Sequence, residues 1–416
     1  MTTIDADWLG APSLQALLAA LSEGGEEARV VGGAVRNTIL GHPVTDVDIA
    51  TTTVPQETVR RVEAAGFKAV PTGFEHGTIT VVTPERPFEV TTLREDVETN
   101  GRHAVVRFGR DWRADASRRD FTINALYATA AGEVVDLVGG IADIESRTLR
   151  FIGDAETRIR EDYLRILRFF RFFAWYGAGR PDAAGIRAAA RLKDGMSGLS
   201  AERVWAELKK LLAAPDPSRA LLWMRQTGVL TQVLPESERW GIDSIHPLVA
   251  AEVAFGWPAD PLLRLMAITP PDAPRMADLA RRLRLSNADR DRLLAHAHAE
   301  PVAATEREAE LNARLYFGDR QAIVDRLRLA VATARAKAEG GIEAMAVLAS
   351  LTRQLEAAEA FDPPAFPISG EDLRQAGIAP GPGMGRALEQ LKRSWAESGF
   401  RQTREQLLAA ISPSGS

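Results

Sequence analysis

The hydrophobic pattern changes its period partway along the chain. In the first part, short apolar runs alternate with polar positions, and glycine or proline closes each run. "RVVGG" (29–33) predicts a strand running into a glycine pair, and "AVRNTILG" predicts a helix closed by Gly41. "TDVDIAT" alternates with period two, as a half-buried strand does. "PQETVRRVEAAGF" predicts a helix opened by Pro55 and closed by Gly66, and a shorter helix is expected near Leu14–Leu21. "GTITVV" and "FEVTTL" read as two further strands, rich in Thr and Val. Residues 28–93 therefore predict a mixed α/β unit built on a small sheet.

Residues 94–117, "REDVETNGRHAVVRFGRDWRADAS", are polar and carry no sustained period. A stretch of that length inside a compact domain is expected to be a functional loop or a lid. From about Phe151 onward apolar residues recur at helical spacing, as in "SAERVWAELKKLLAA", "SRALLWMRQTGVL" and "NADRDRLLAHAHAE", where "HAHAE" reads as helix surface. Breaks at "APDP", "ITPPDAP", "FDPPAFP" and "GIAPGPGMG" separate groups of helices. The predicted fold class is α+β: an N-terminal head with a small mixed sheet, then an elongated all-α neck, body and tail.

Composition narrows this picture only a little. The 416 residues are 45% hydrophobic and 26% charged, ordinary for a globular protein of several domains. No apolar run approaches bilayer length, the opening "MTTIDADWLG" lacks a signal-peptide pattern, and there is no cysteine for disulfides, thiolate metal sites or a cysteine nucleophile. A cytoplasmic location with no membrane contact is expected. The net charge of −5 (51 Lys+Arg, 56 Asp+Glu) neither favours nor excludes nucleic acid, because phosphate binding depends on local patches.

The candidate chemistry is concentrated in the head. Asp46 and Asp48 lie two apart on a strand, so their carboxylates share a face, the arrangement needed to hold divalent metals beside a reacting hydroxyl. A bare D-x-D favours a solvated strand end; the sequence just before it changes that. Upstream, Gly32 and Gly33 sit between a strand and a helix, where backbone N–H groups can meet phosphates, and Arg36 adds a guanidinium fork. The combination describes a triphosphate grip facing a metal pair. Glu89 on a neighbouring strand is a candidate third carboxylate. "DASRRDFTINAL" (115–126) predicts one short helix bearing Arg119, Asp120 and Asn124, with the last two on a common face suited to a sugar hydroxyl. "REDYLRILRFFR" (160–171) predicts a helix with Glu161, Asp162, Arg165, Arg168 and Arg171 on one side and Leu164, Leu167 and Phe170 turned to the core.

In order and spacing, "GGAVRNTILG…TDVDIATTT", "HGTITVV…FEVTTLREDVETNGRHAVV", "RRDFTINALY" and "REDYLRILRFFRF" resemble the class II tRNA nucleotidyltransferases, the CCA-adding enzymes of the DNA polymerase β-like superfamily. The similarity is dense over residues 28–176 and returns in "ISGEDLRQAGIAPGPGMGRAL". It implies a nucleotidyltransferase head at 1–148, a neck with a nucleotide-recognition helix at 149–235, and a tRNA-binding body and tail at 236–416. It implies Mg²⁺ as cofactor, CTP and ATP as substrates and tRNA as partner. Gly33 and Arg36 match the family's triphosphate positions and Asp46 and Asp48 its metal ligands. Arg119 matches a nucleotide contact, and Asp162, Arg165, Arg168 and Arg171 match the recognition helix. The chain departs from the family at Asn37, usually aspartate, and at Asn100, where Asp-Gly-Arg is common.

The recognition helix has a physical logic. Residues three apart on a helix stay close on one face, so Asp162 and Arg165 would present an acceptor beside a donor. Cytosine and adenine each offer an amino donor beside a ring-nitrogen acceptor; uracil and guanine reverse that order. One Asp/Arg pair would then accept C and A and reject U and G without a template, since a mismatched buried polar pair is costly. The alternatives are a poly(A) polymerase, a CC- or A-adding specialist, and a non-catalytic RNA-binding relative. The first typically carries Asp-Pro-Val-Arg where this chain has "EDYLR"; the CC-adding kind lacks the segment retained here at 94–108; the last would be expected to lose Asp46 or Asp48.

Overall fold

The computed structural model describes residues 2–100, 103–238 and 240–410. Contacts divide the chain into two compact units, Met1–Val233 and Leu234–Ser416. The first unit takes in residues 1–148 and the segment from 149 to 233.

In the first unit, α1 (Pro12–Leu21) precedes β1 (Ala28–Val31), α2 (Gly33–Leu40), β2 (Asp48–Thr51) and α3 (Pro55–Ala64). Then come β3 (Lys68–Gly73), β4 (Thr78–Val82), β5 (Pro87–Thr92), β6 (Arg94–Asn100), β7 (His103–Phe108) and α4 (Trp112–Ser117). β8 (Leu126–Ala128) and β9 (Val134–Asp136) complete the sheet before α5 (Gly140–Glu145). Seven strands run in the order β3-β4-β5-β2-β1-β8-β9; β2 and β5 are parallel and the other neighbours antiparallel, so the sheet is mixed. It extends well past residue 93, because the short strand β8 pairs with β1 and β9 pairs in turn with β8. β2 starts at the exposed Asp48 and is buried from Ile49 through Thr51.

The segment expected as an irregular loop is instead a two-stranded ribbon. β6 and β7 pair antiparallel from Arg94↔Phe108 to Asn100↔His103, with a register shift between Asp96 and Glu98. Gly101 and Arg102, which follow the divergent Asn100, lie outside the described residues, as does the tail "SPSGS".

The helices that follow are α6 (Ala155–Glu161), α7 (Leu164–Tyr176), α8 (Ala183–Leu192), α9 (Ala201–Leu212), α10 (Ser218–Gln226) and α11 (Val229–Val233). Leu164, Leu167, Phe169 and Phe170 of α7 are buried. Phe121 and Phe151 bridge the sheet region to α7, with ring centroids 4.8 Å apart and Phe151–Phe169 at 5.4 Å. Such aromatic pairs contribute about 0.5–1.5 kcal/mol each beyond their buried area. This apolar contact anchors α7 to the head and orients its arginine side.

The second unit is all-α: α12 (Ile245–Phe255), α13 (Pro261–Ala267), α14 (Ala273–Arg282), α15 (Asn287–His298), α16 (Glu308–Phe317), α17 (Arg320–Lys337), α18 (Ile342–Ala360), α19 (Gly370–Gln375), α20 (Pro382–Glu397) and α21 (Arg404–Ala409). Leu327 and Val331 of α17 and Leu355 of α18 form one core, and Trp395, Leu373 and Leu407 another. "HAHAE" is only half surface: His298 is exposed, but His296 is buried.

Candidate active site

Gly32 has φ +74° and ψ −116°, a backbone conformation closed to residues with a Cβ, and it turns β1 directly into α2. The amide groups at the start of α2 border a cleft of about 1020 Å³. Arg36, one turn on, is only 6% exposed. Its guanidinium donates to Asn37 Oδ1 (3.1 and 2.8 Å), to Tyr176 Oη (2.8 Å) and to Asn124 Oδ1, and it stacks 4.1 Å from the Tyr176 ring centroid. The fork expected for phosphate oxygens is thus largely a brace between α2 and α7. The departure at Asn37 belongs to this brace: Asn37 accepts from Arg36 and donates through Nδ2 to the Pro43 carbonyl (2.9 Å), which an aspartate could not do.

Asp46 lies just before β2 and Asp48 at its first residue, flanking buried Val47, so both carboxylates open on the same cleft. Neither has an ion-pair partner among the described residues; Asp46 Oδ2 accepts from Thr45 Oγ1 at 3.2 Å. Glu89 is the register partner of Asp48 across the parallel β2–β5 pair. It does not line the cleft, and among the described residues no three acidic or histidine groups come together as a metal cluster. The surrounding protein, then Glu89 and Asp46 as like charges, push the Asp48 carboxyl above its ordinary value, with Arg119 opposing.

"DASRRDFTINAL" is not one helix. α4 ends at Ser117 and a 3₁₀ turn spans Thr122–Asn124, so Asp120 and Asn124 are not brought together by a helical face. They meet directly instead: Asn124 Nδ2 donates to Asp120 Oδ1 (3.1 Å), while Arg168 Nε donates to Asp120 Oδ2 (2.9 Å). Burial alone would raise the Asp120 pKa, but Arg168 and Asn124 outweigh it and hold the carboxyl below its ordinary value. Both residues line the cleft, and between them they link Arg36 to Arg168.

The helix expected over 160–171 is broken at Asp162, whose φ of −154° and ψ of 109° are extended. Its side chain accepts from the Leu164 N–H (3.1 Å) and its carbonyl from the Arg165 N–H (3.0 Å), so it starts α7 as a cap. Asp162 Oδ2 also accepts from Arg203 of α9 (2.5 Å). Arg165 is held from behind: its Nη1 donates to the Arg158 carbonyl (2.8 Å) and to Glu161. Arg171 pairs with buried Glu207 of α9 (3.1 Å) and lies 4.3 Å from the Phe172 ring centroid. Asp162 and Arg165 therefore reach the cleft together, but from a helix start and a first turn rather than from one helix face.

Eight cationic side chains line the cleft against four carboxylates, in a protein whose net charge is −5. Several functional groups were not singled out from sequence: Arg203, Glu207 and Lys210 of α9, Tyr176 of α7, and Asp115. The α9 signal was available in "AERVWAELKK", where Arg203, Glu207 and Lys210 recur at four and three. Asp115, 1% exposed, receives Arg118 (2.9 and 2.7 Å), Arg119 (3.1 and 3.0 Å) and Tyr127 Oη (2.8 Å). It holds two arginines at the cleft wall. Asp115→Asn is expected to lower the melting temperature and weaken binding of a triphosphate in the cleft by about tenfold, since a charge-assisted contact is worth roughly 1.5–3 kcal/mol; an unchanged affinity would remove Asp115 from the positioning role.

The sheet, paired aspartates and cationic cleft define a nucleotidyltransferase-type site, and comparison with known proteins agrees. Residues 28–150 match the poly(A) polymerase head domain family, and residues 185–240 match the probable RNA and SrmB-binding site of polymerase A. The mouse mitochondrial CCA tRNA nucleotidyltransferase 1 is 33% identical over 96% of this chain and 89% of its own length. The Geobacillus stearothermophilus CCA-adding enzyme is 37% identical over 57% of each chain. Among solved structures, the Bacillus stearothermophilus CCA-adding enzyme in complex with CTP superposes with a TM-score of 0.70 at 26% identity, covering 95% of both chains. The Thermotoga maritima CCA-adding enzyme complexed with tRNA shares the fold at a TM-score of 0.65. The chain belongs to the CCA-adding tRNA nucleotidyltransferase family.

Proposed function

We infer that the protein adds CCA to the 3′ end of tRNA from CTP and ATP, selecting each nucleotide without a nucleic-acid template. The observation that carries this reading is that one cleft is lined by the Gly32–Gly33 turn, by Asp46 and Asp48, and by Asp162 and Arg165. Phosphate-binding, metal-binding and base-recognising chemistry thus face a common space. The whole-length relatives named as CCA tRNA nucleotidyltransferases support it, as do the similar structures solved with CTP, ATP and tRNA.

In the reaction, the tRNA 3′-hydroxyl gives up its proton to water as its oxygen bonds to the α-phosphorus of the bound triphosphate, and the bond from that phosphorus to the bridging oxygen breaks to release pyrophosphate. We assign the amide groups at Gly32 and Gly33, with Arg119, to the triphosphate. Arg36, Asp120, Asn124, Arg168 and Arg171 hold the walls in register. Enzymes of this family are generally metal-dependent, and the carboxylates of Asp46 and Asp48 suit Mg²⁺, a hard cation commonly held by one or two carboxylates plus substrate phosphates. When bound there, Mg²⁺ would acidify the hydroxyl and neutralise the departing pyrophosphate. Glu89 supports the pair as a neighbouring charge.

Base selection falls to Asp162 and Arg165. Arg165 Nε and Nη2 have no hydrogen-bond partner among the described residues, which leaves donors for a ring nitrogen. Each Asp162 oxygen keeps a second lone pair beside those used by Leu164 and Arg203, enough for an exocyclic amino group. We keep the division into head (1–148), neck (149–235) and a tRNA-binding body and tail (236–416). No helix among the described residues is long and apolar enough to cross a membrane. A cytoplasmic location is part of the proposal, although the mouse, zebrafish and human relatives are named mitochondrial; fractionation of the native cells tests it.

The β6–β7 ribbon supports complete CCA addition over a CC-adding specialist. Shortening it is expected to leave the two cytidine additions near normal and to slow the terminal adenosine by about tenfold or more, because the pocket must change shape for a purine. Equal loss of all three additions would make the ribbon merely structural. The deciding experiment supplies each NTP, separately and mixed, with tRNA ending at the discriminator base, and sequences the 3′ ends. A tract of A alone would favour the poly(A) polymerase reading.

A further inference from the structure

The helical second unit carries a cavity of about 410 Å³, well within the range of small-ligand pockets, whose wall differs from that of the catalytic cleft. Much of its wall is apolar, with Met266, Val302, Leu329 and Leu351 among the lining residues, and none of the lining residues is a carboxylate. Its charged groups are both cationic: Arg326 and Lys337 of α17. Arg326 stands apart from its neighbours. On the same helix Arg328 pairs with Glu359 at 2.7 Å, and on α15 Arg292 pairs with Asp260 and Asp325 at 2.6 and 2.8 Å. Arg326 has only the Ala297 carbonyl at 3.5 Å, and its buried Nε has no partner. No described carboxylate neutralises it.

Two more features point to a flat, hydrogen-bonding ligand. His296, 2% exposed, lines the cavity, and its Nδ1 also lacks a partner. Burial, then Arg326 and Arg292, depress its pKa to about 3, so at neutral pH the ring is uncharged and offers one donor and one acceptor. Trp240, 51% exposed, borders the same cavity with its indole N–H tied to the Ala267 carbonyl at 3.3 Å. A tethered, exposed indole is a stacking platform. An aromatic platform, a largely apolar wall, a neutral hydrogen-bonding imidazole and an unneutralised guanidinium together match a heteroaromatic base carrying one phosphate.

We propose that the helical body holds a second nucleotide pocket, in which one nucleoside monophosphate unit stacks against Trp240 and directs its phosphate to Arg326 and Lys337. The unit is either a free nucleotide or an unstacked residue of bound RNA; only the second source rests on the tRNA-binding reading above. Neither source takes part in the bond-making step, so this pocket stands or falls independently of the catalytic assignment.

The test is photolabelling of the full-length protein with 8-azidoadenosine 5′-monophosphate, followed by peptide mapping, on the native sequence, on Arg326→Gln and on Thr333→Trp. Thr333 is an exposed residue lining the cavity, so the indole would fill the cavity without removing a charge. The expected result is label on peptides containing Trp240 or residues 326–337, falling about tenfold in each variant, while label on cleft peptides is unchanged; tenfold corresponds to the loss of one good contact. If the natural source is RNA, unlabelled tRNA ending at the discriminator base displaces the body label, and both variants weaken tRNA binding about tenfold. If it is a free nucleotide, the label persists under tRNA and tRNA affinity is unchanged. Label confined to cleft peptides, or body label that survives both substitutions, overturns the proposal. Should Thr333→Trp misfold by circular dichroism, Arg326→Gln alone decides it.

Discussion

Asp48→Asn is expected to reduce nucleotide addition by at least about a thousandfold while leaving tRNA affinity within about twofold. Removing one preorganised charge-stabilising group from an active site commonly costs a hundred- to thousandfold, and here the lost group would also hold the metal. The same substitution should raise the melting temperature of the metal-free protein. Asp48 is pushed above its ordinary pKa by the surrounding protein and by Glu89 and Asp46. A carboxyl raised on folding binds its proton more tightly in the native state. Its favourable contribution is therefore full below the unfolded pKa and is lost as pH rises through the folded value. Above that range the stabilisation is gone, and an amide, which never ionises, avoids the penalty on the charge. Single-turnover CTP incorporation under Mg²⁺, filter binding of tRNA and a thermal melt in chelator check the three parts. Retention of more than about a tenth of the native rate would sink the metal assignment.

What the sequence made legible was the local alternation. Asp46-Val47-Asp48 reads outward-inward-outward on any strand, and Gly32 had to sit at a turn, so the paired aspartates and the glycine turn that border the cleft were legible in the sequence. Positions 160–171 were harder, because a helical period is continuous through "REDYLRILRFFR" and only the poor helix propensity of Asp162 hinted at a cap. The ribbon was missed for lack of apolar alternation, although Asn100-Gly101 is the strongest short-range hairpin dipeptide. Partners such as Arg203 and Glu207 could not be assigned, since α9 meets α7 only through tertiary packing. The arginines looked like a row of free donors. In the structure Arg36, Arg168 and Arg171 are tied to Asn124, Asp120 and Glu207, and this bracing leaves Arg165 as the one of these four whose Nε and Nη2 are both without a described partner.

That division of labour sharpens the test of base recognition. In the base-reading role proposed for it, Arg165→Ala would remove the donor to cytosine N3 and adenine N1, together with the group that would oppose the ring N–H of uracil and guanine. A good bidentate contact is worth roughly 1–3 kcal/mol of discrimination, or about ten- to a hundredfold. We expect kcat/KM for CTP and ATP to fall by that factor, while UTP and GTP fall far less, so the enzyme loses selectivity as well as rate. α7 should persist, because alanine is a good helix former and Leu164, Leu167 and Phe170 stay buried. Glu161→Gln serves as the companion: it weakens the partner that holds Arg165 from behind without touching a base, and should lower selectivity by a smaller factor. For the other half of the pair, Asp162→Asn is the cleaner change than alanine. An asparagine oxygen can still accept from the Leu164 N–H and preserve the cap, while the negative charge that meets the amino group and Arg203 is gone. The measurement is kcat/KM for all four triphosphates on each variant, with circular dichroism to establish folding. A folded Arg165→Ala enzyme whose four activities dropped by one common factor would make this arginine a support of the cleft wall and leave base reading to another residue.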